Sequence, residues 1–248
     1  MAVLVTRPLP DGETTAADLR ARGFEVVAAP MLRFEPFAFS DEAEVPYGGI
    51  IVTSANAVRA VQSDLAKSPL LKLPLFAVGE RTAAAASAAG FAKVRSADGD
   101  ATALRDLVIG AAKAKKLKKK SPLLYLAGEE LARDLAGDLR EQGFEVVTHI
   151  AYRMVPAKRL PSEVVDGFAA GRIEAVLHYS RRSARAFVEA ARTGGVEISA
   201  LALPQCCISA AVAEIIREAG AAKVTVAARP DENALFEALK RALPARLA

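Results

Sequence analysis

Short apolar runs alternate along the chain with longer stretches of helical period. Runs at 3–7, 24–28, 50–53, 73–78, from 94, 122–126, 144–150, 175–179, 205–208 and 223–227 predict strands. Continuous aliphatic runs of this length suit strands covered on both faces. Helices are predicted between them at 11–22, 57–66, 79–90, 103–112, 128–142, 161–170, from 183, up to 220, and at 232–242. Asp11 is placed as the cap of the first. Four helices stop at a glycine that a strand soon follows: Gly23, Gly90, Gly143 and Gly220. This is the punctuation of repeated strand–helix units around a parallel sheet, so the fold class is α/β.

Two stretches break the rhythm. Pro30, Pro36 and Pro46 hold residues 31–39 extended, as a linker or an edge strand, because proline lacks the N–H that a helix interior or central strand needs. Residues 151–158 form a second extended connector. The two correspond. Aligning 17–36 with 137–156 gives ten identities in twenty positions: Asp18, Leu19, Arg20, Gly23, Phe24, Glu25, Val26, Val27, Arg33 and Pro36. A duplicated five-strand α/β unit accounts for this. Two domain plans satisfy the pattern. In one, 1–120 and 121–248 fold separately. In the other, the first strand–helix–strand of each half joins the last three strands of the other half, and the connectors cross between domains.

Composition narrows the function. Of 248 residues, 52% are hydrophobic, ample for one large core or two small ones. No apolar run is long enough to span a bilayer, and Met1 to Val5 leads into Thr6-Arg7-Pro8 without a signal-peptide layout. A soluble, cytoplasmic protein with no membrane partner is expected. The net charge of +4 is local: residues 113–120 hold six lysines, and +4 less six leaves −2. With no interleaved aromatics, that run reads as a solvated loop or helix end, and no nucleic-acid partner is expected. Cys206 and Cys207 are adjacent on a strand, a poor geometry for a disulfide, and read as core thiols. His149 and His178 fall on separate strands, and no His/Cys/carboxylate cluster has metal-ligand spacing. There is no glycine-rich nucleotide fingerprint and no phosphate-loop lysine. No cofactor and no metal are expected.

Candidate chemistry gathers where a strand turns directly into a helix. Residues 49–58 pass from Gly49-Ile50-Ile51-Val52 to Thr53-Ser54-Ala55-Asn56 and on into a helix. Such a turn leaves first-turn N–H groups unpaired beside the positive end of the helix dipole. Thr53, Ser54 and Asn56 either cap that turn or bind an anion there. Residues 175–186 repeat the layout, with Ser180 matching Ser54 and Arg185-Ala186 matching Arg59-Ala60.

These motifs together resemble the uroporphyrinogen-III synthase family. The resemblance spans the chain. It rests on Val3 to Pro8, Thr53 to Val58, Ala77 to Ala83, Ala151-Tyr152-Arg153, Tyr179-Ser180, and Ala228 to Asp231 with Ala234-Leu235. It implies two similar parallel-sheet α/β domains joined by a two-stranded antiparallel linker, in the crossed plan. Residues 1–36 and 157–248 would form one domain, and 37–156 the inserted one. It implies a cofactor-free hydro-lyase, acting as a monomer, that closes the linear tetrapyrrole hydroxymethylbilane with loss of water and inversion of the terminal pyrrole. By the same resemblance Tyr152 is the catalytic candidate. Arg7, Thr53, Ser54, Ala55, Asn56, Gly79, Glu80, Arg81, Gly128, Ser180, Arg181 and Ala210 are the candidates for substrate binding, the helix starts at Ser54, Gly79, Gly128 and Ser180 lining facing edges of a cleft. Glu80 and Arg81 read equally as solvated first-turn charges, and His178 as a strand residue. The chain departs from the family at Ser209-Ala210-Ala211-Val212, where Gly-Pro-Thr-Thr is frequent, so those threonine hydroxyls are missing. The alternative is a two-lobed carboxylate-binding protein without catalysis.

Overall fold

The structure, a computed structural model, describes residues 1–40, 46–115, 117, 120–131 and 133–243. The chain divides into two compact units, one of Met1–Phe34 with Val155–Ala248, the other of Glu35–Met154. In the first come β1 (Ala2–Val5), α1 (Asp11–Ala21) and β2 (Glu25–Ala28). Strand β3 (Leu32–Pro36) leads into the second unit, with β4 (Gly49–Val52), α2 (Ala55–Leu65), β5 (Pro74–Ala77), α3 (Glu80–Ala88), β6 (Lys93–Ser96), α4 (Ala101–Lys113), β7 (Leu123–Gly128) and α5 (Leu135–Glu141). Strand β8 (Val146–Pro156) leads back. There follow α6 (Ser162–Ala169), β9 (Ile173–His178), α7 (Arg181–Thr193), α8 (Glu197–Leu201), β10 (Gln205–Cys207), α9 (Ala210–Glu218), β11 (Val224–Val226) and α10 (Glu232–Ala242).

The first unit's sheet runs β11-β10-β9-β1-β2, all parallel. Leu4 and Val176 pack into one apolar cluster with Phe187 and Ile216; Val3, Val5, Ala175 and Leu177 pack into another with Leu235 and Phe236. Alternate residues thus bury opposite faces under helices, which explains the unbroken apolar runs. The second unit's sheet runs β3-β8-β7-β4-β5-β6. Strands β4 to β8 are parallel neighbours within it. Strand β3 lies beside β8, where the N–H of Phe37 donates to the Ala151 carbonyl at 2.8 Å and the N–H of Ala157 to the Met31 carbonyl at 2.9 Å. Partners that move in opposite directions along the chain make this pair antiparallel. The first sheet therefore joins two strands of the first half to three of the second, and the second sheet joins four of the first half to two of the second.

Glycine ends the equivalent helices α1 and α5 for one reason. Gly23 and Gly143 take φ of 85° and 78°, a left-handed conformation only glycine adopts cheaply. The next N–H, from Phe24 or Phe144, then reaches back to the carbonyl of Leu19 or Leu139 at 3.1 Å.

The structure corrects several sequence expectations. Asp11 is not a cap: Pro10 holds that position, and the Asp11 carboxylate lies 3.7 Å from Arg7 Nη2. The strand expected at 144–150 and the connector after it are one strand, β8, because β3 and β7 flank it on both sides. With β3 added, the second sheet has six strands rather than five. The helix expected from 128 begins only at Leu135. The Glu129 N–H bonds to the Tyr152 carbonyl at 2.9 Å, holding that stretch against β8, and the Asp134 side chain caps the helix through the Gly137 N–H at 2.8 Å. In the lysine run, Lys113 closes α4 and Leu117 is buried; Lys116, Lys118 and Lys119 lie outside the described residues.

Candidate functional site

In the second unit, the carboxyl ends of β4, β5 and β7 meet at a pocket of about 260 Å³. Thr53, Ser54, Val78, Tyr125, Gly128 and Tyr152 line it, with Glu130 and Arg133 also present. Parallel strands all end on the same edge, and the helices that follow start there, so ligands of open α/β sheets bind at this edge. Ser54 caps α2, its Oγ accepting from the Asn56 N–H at 3.2 Å.

Tyr152 owes its place to Gly128. The two are register partners at the end of β7 and β8, after an irregularity between Ala127 and Gly128. A Cβ on Gly128 would lie 2.9 Å from both Cζ and Oη of Tyr152, so the phenol rests directly on the glycine backbone. Tyr125, buried on β7, shares a hydrogen bond of 3.0 Å between its hydroxyl and Thr53 Oγ1. Burial raises the Tyr125 pKa above its usual value, and the charges of Tyr152 and Asp134 push the same way against the Thr53 hydrogen bond. Tyr125 thus offers the pocket a neutral hydroxyl.

The other candidates of this unit lie outside that lining. Asn56 is engaged internally: its Oδ1 accepts from Arg59 Nη1 at 2.9 Å, and its Nδ2 is 3.8 Å from the Met154 sulfur. Ala55 is buried. Gly79 caps α3 in extended conformation, and the exposed Glu80 and Arg81 open that helix. Gly128 is not a helix start; it is the seat of the Tyr152 ring.

In the first unit, Arg7, Ser180 and Ala210 follow β1, β9 and β10 at the same sheet edge. Arg7 is committed to the protein's own carboxylates. Its Nη1 donates to Glu232 Oε1 at 2.8 Å and to Thr15 Oγ1 at 3.0 Å, and the guanidinium sits 4.8 Å over the Tyr179 ring. Thr15 also donates to Glu232. Gly12 permits this arrangement, since a Cβ there would meet the Arg7 carbonyl oxygen at 2.5 Å. Ser180 caps α7 through the Ser183 N–H at 3.1 Å, with the exposed Arg181 next to it. Ser209 caps α9 without a side-chain hydrogen bond, leaving the first turn at Ala210 without a side-chain acceptor. His178 is fully buried. Its Nε2 lies 2.8 Å from Gln205 Oε1, and burial pulls its pKa down to about 4. It is a neutral strand residue. Burial pushes both cysteine thiols up to about 12, as inert core groups.

Sequence reasoning missed Tyr125, Arg133 and the Arg7–Thr15–Glu232 network. For Tyr125 a signal existed: a tyrosine amid leucines on a buried strand needs a partner for its hydroxyl. Arg133 donates from Nη1 to Thr102 at 2.6 Å and from Nε to Asp138 at 2.7 Å, in a loop that had been expected to be helical. Among the described residues no group of three His, Cys, Asp or Glu could hold a metal, and no helix is long and apolar enough to cross a membrane.

Known proteins share this fold. The fold matches uroporphyrinogen-III synthetase from Helicobacter pylori 26695 at TM-score 0.64 and 20% identity, over 100% of this chain and 99% of that one. It also matches a mutant uroporphyrinogen III synthase from the extremely thermophilic bacterium Thermus thermophilus at TM-score 0.58 and 18% identity, over 99% and 100%. No curated protein sequence matches. The sequence profile described as HEM4, uroporphyrinogen-III synthase HemD, covers residues 13–237. The chain therefore belongs to the uroporphyrinogen-III synthase family.

Proposed function

We propose that this chain carries out the family's reaction as a cofactor-free hydro-lyase, a cytoplasmic monomer, with Tyr152 as the catalytic residue. The substrate, hydroxymethylbilane, loses its terminal hydroxyl as the C–O bond breaks and positive charge spreads into the adjoining pyrrole. The Tyr152 hydroxyl donates a hydrogen bond to the departing oxygen. Seating of that phenol on Gly128, at the edge where β4, β5 and β7 end, is the observation that carries the reading. The pocket holds one ring and its arms. Tyr125, fixed by Thr53, keeps the wall beside the reacting carbon neutral and dry. Each unit has helix starts whose backbone N–H groups and dipoles favour the substrate's carboxylates: α2 and α3 in the second, around Ser54-Ala55 and Gly79-Glu80, and α7 and α9 in the first, around Ser180 and Ala210. Arg81 and Arg181 add exposed positive charge beside two of these starts. Arg7, held by Glu232, supports the edge rather than offering its charge. Selection of the inverted ring closure is a matter of positioning and electrostatics. The two domains of this reading are the units bounded near residues 36 and 156.

The test generates hydroxymethylbilane in a coupled assay, adds the protein, oxidises the product and separates the type I and type III porphyrin isomers. Type III is expected to dominate, and type I alone at the uncatalysed rate refutes the proposal. In the same assay Tyr152→Phe lowers kcat by roughly 10²-fold, the scale of a lost general acid, with KM little changed. An unchanged kcat removes Tyr152 from the mechanism.

A further inference from the structure

The first unit contains a larger cavity, of about 840 Å³, that the proposed catalysis does not use. That size suits a small-molecule site. Leu9, Pro10, Pro30, Leu32, Val155 and Pro156 give it an apolar lining. Leu9 is 48% exposed, one of four large hydrophobic side chains so placed among the described residues. An apolar side chain left exposed in a cavity lining loses nothing when a ligand covers it. The prolines fix their own backbone, so the shape is set before a ligand arrives. The charged part of the lining is lopsided: Arg33, Lys158 and Arg159 against the single carboxylate of Glu13. Lys158 and Arg159 are both exposed, at the end of β8's run. An apolar lining with an excess of cationic side chains complements a flat ring that carries acid groups.

We propose that this cavity binds a flat apolar ring bearing carboxylate arms, and that its occupant is a pyrrole unit of the linear tetrapyrrole. The identity of the occupant rests on the proposed function; the existence of the site does not. None of its lining residues is shared with the Tyr152 pocket.

Two fluorescent probes of one skeleton separate the charge from the apolar surface: 8-anilinonaphthalene-1-sulfonate, an anion, and neutral N-phenyl-1-naphthylamine. Both are titrated against the folded full chain. The double reversal Lys158→Glu/Arg159→Glu, at exposed positions that do not threaten folding, is expected to weaken the anion about ten-fold and the neutral probe by less than about two-fold. Leu9→Asp weakens both. An anion affinity that survives the double reversal, or probes indifferent to Leu9→Asp, overturns the site. In the coupled assay the double reversal raises KM for the tetrapyrrole and leaves kcat unchanged. An unchanged KM alongside weakened probe binding overturns the tetrapyrrole as occupant. Should the unaltered chain form type I alone, the proposed function falls, and the probe titrations still decide the site.

Discussion

At the scale of single residues, Gly128 matters as much as the tyrosine it supports. A methyl group at that position would overlap the Tyr152 ring, with Cζ and Oη both at 2.9 Å. The ring is the side that can move, since β7 and β8 hold the backbone in register. Gly128→Ala is therefore expected to cost about 1–2 kcal/mol of stability, the usual range for overpacking. It also lowers kcat nearly as far as Tyr152→Phe does. Because both changes act through one hydroxyl, adding Gly128→Ala to Tyr152→Phe lowers kcat little further, and a double-mutant cycle measures this directly. Two independent, additive losses would show that Gly128 acts by some other route. None of this was legible in the sequence, where Gly128 reads as a strand end or helix start. Its role comes from a neighbour on an adjacent strand, and single-chain periodicity carries no information about which strands are adjacent.

Strands and helices were the most legible level, and the errors among them share a cause. Apolar period and glycine punctuation place β1, β4, β9, α6 and α10 within a residue or two, because both signals are local. The start of α5 was misplaced because Glu129 is drawn to β8 by a tertiary hydrogen bond. The Arg7–Glu232 pair spans 225 positions and is equally invisible to spacing. The lock between β9 and β10 belongs to the same class. Gln205 donates from Nε2 to the carbonyls of Ala200 and Leu203 at 2.8 and 3.0 Å, so its Oε1 must be the acceptor and His178 carries its proton on Nε2. His178 Nδ1 is buried without a partner, and protonating it would place a charge there. Its pKa of about 4 in the fold stands against an ordinary 6.5. Above pH 6.5 both folded and unfolded chains hold it neutral. As pH falls from 6.5 to 4, only the unfolded chain gains the proton, and stability drops by about 3 kcal/mol before levelling. Urea unfolding of the protein and of His178→Asn at pH 7, 5.5 and 4.5 isolates this effect. The stability gap between them should narrow with falling pH; parallel curves would mean that His178 titrates normally.

At the scale of the whole molecule, the internal repeat fits either a cut near residue 120 or the crossed plan, and the sheets decide between them. They place β4, whose four residues are all buried, between β7 and β5. A fragment of residues 1–120 keeps β4 but loses β7, and keeps β1 but loses β9. Both strands then expose an unpaired edge and an uncovered apolar face, which the short chain has no other means to bury. A fragment of residues 35–154 keeps β4 to β8 and a complete apolar cluster, including Ile51, Phe76, Leu104, Val108, Tyr125 and Leu139. The 35–154 fragment is expected to melt cooperatively with a near-ultraviolet circular dichroism signal from its packed aromatics, and the 1–120 fragment to show neither. Cooperative melting of 1–120 together with a featureless 35–154 would mean that each repeat half is a folding unit by itself. The crossed pairing of strands would then form only after two independent halves had folded. The expected result makes the inserted unit self-sufficient, so that the flanking unit must wait for β9 to β11 before β1 and β2 have a sheet to join.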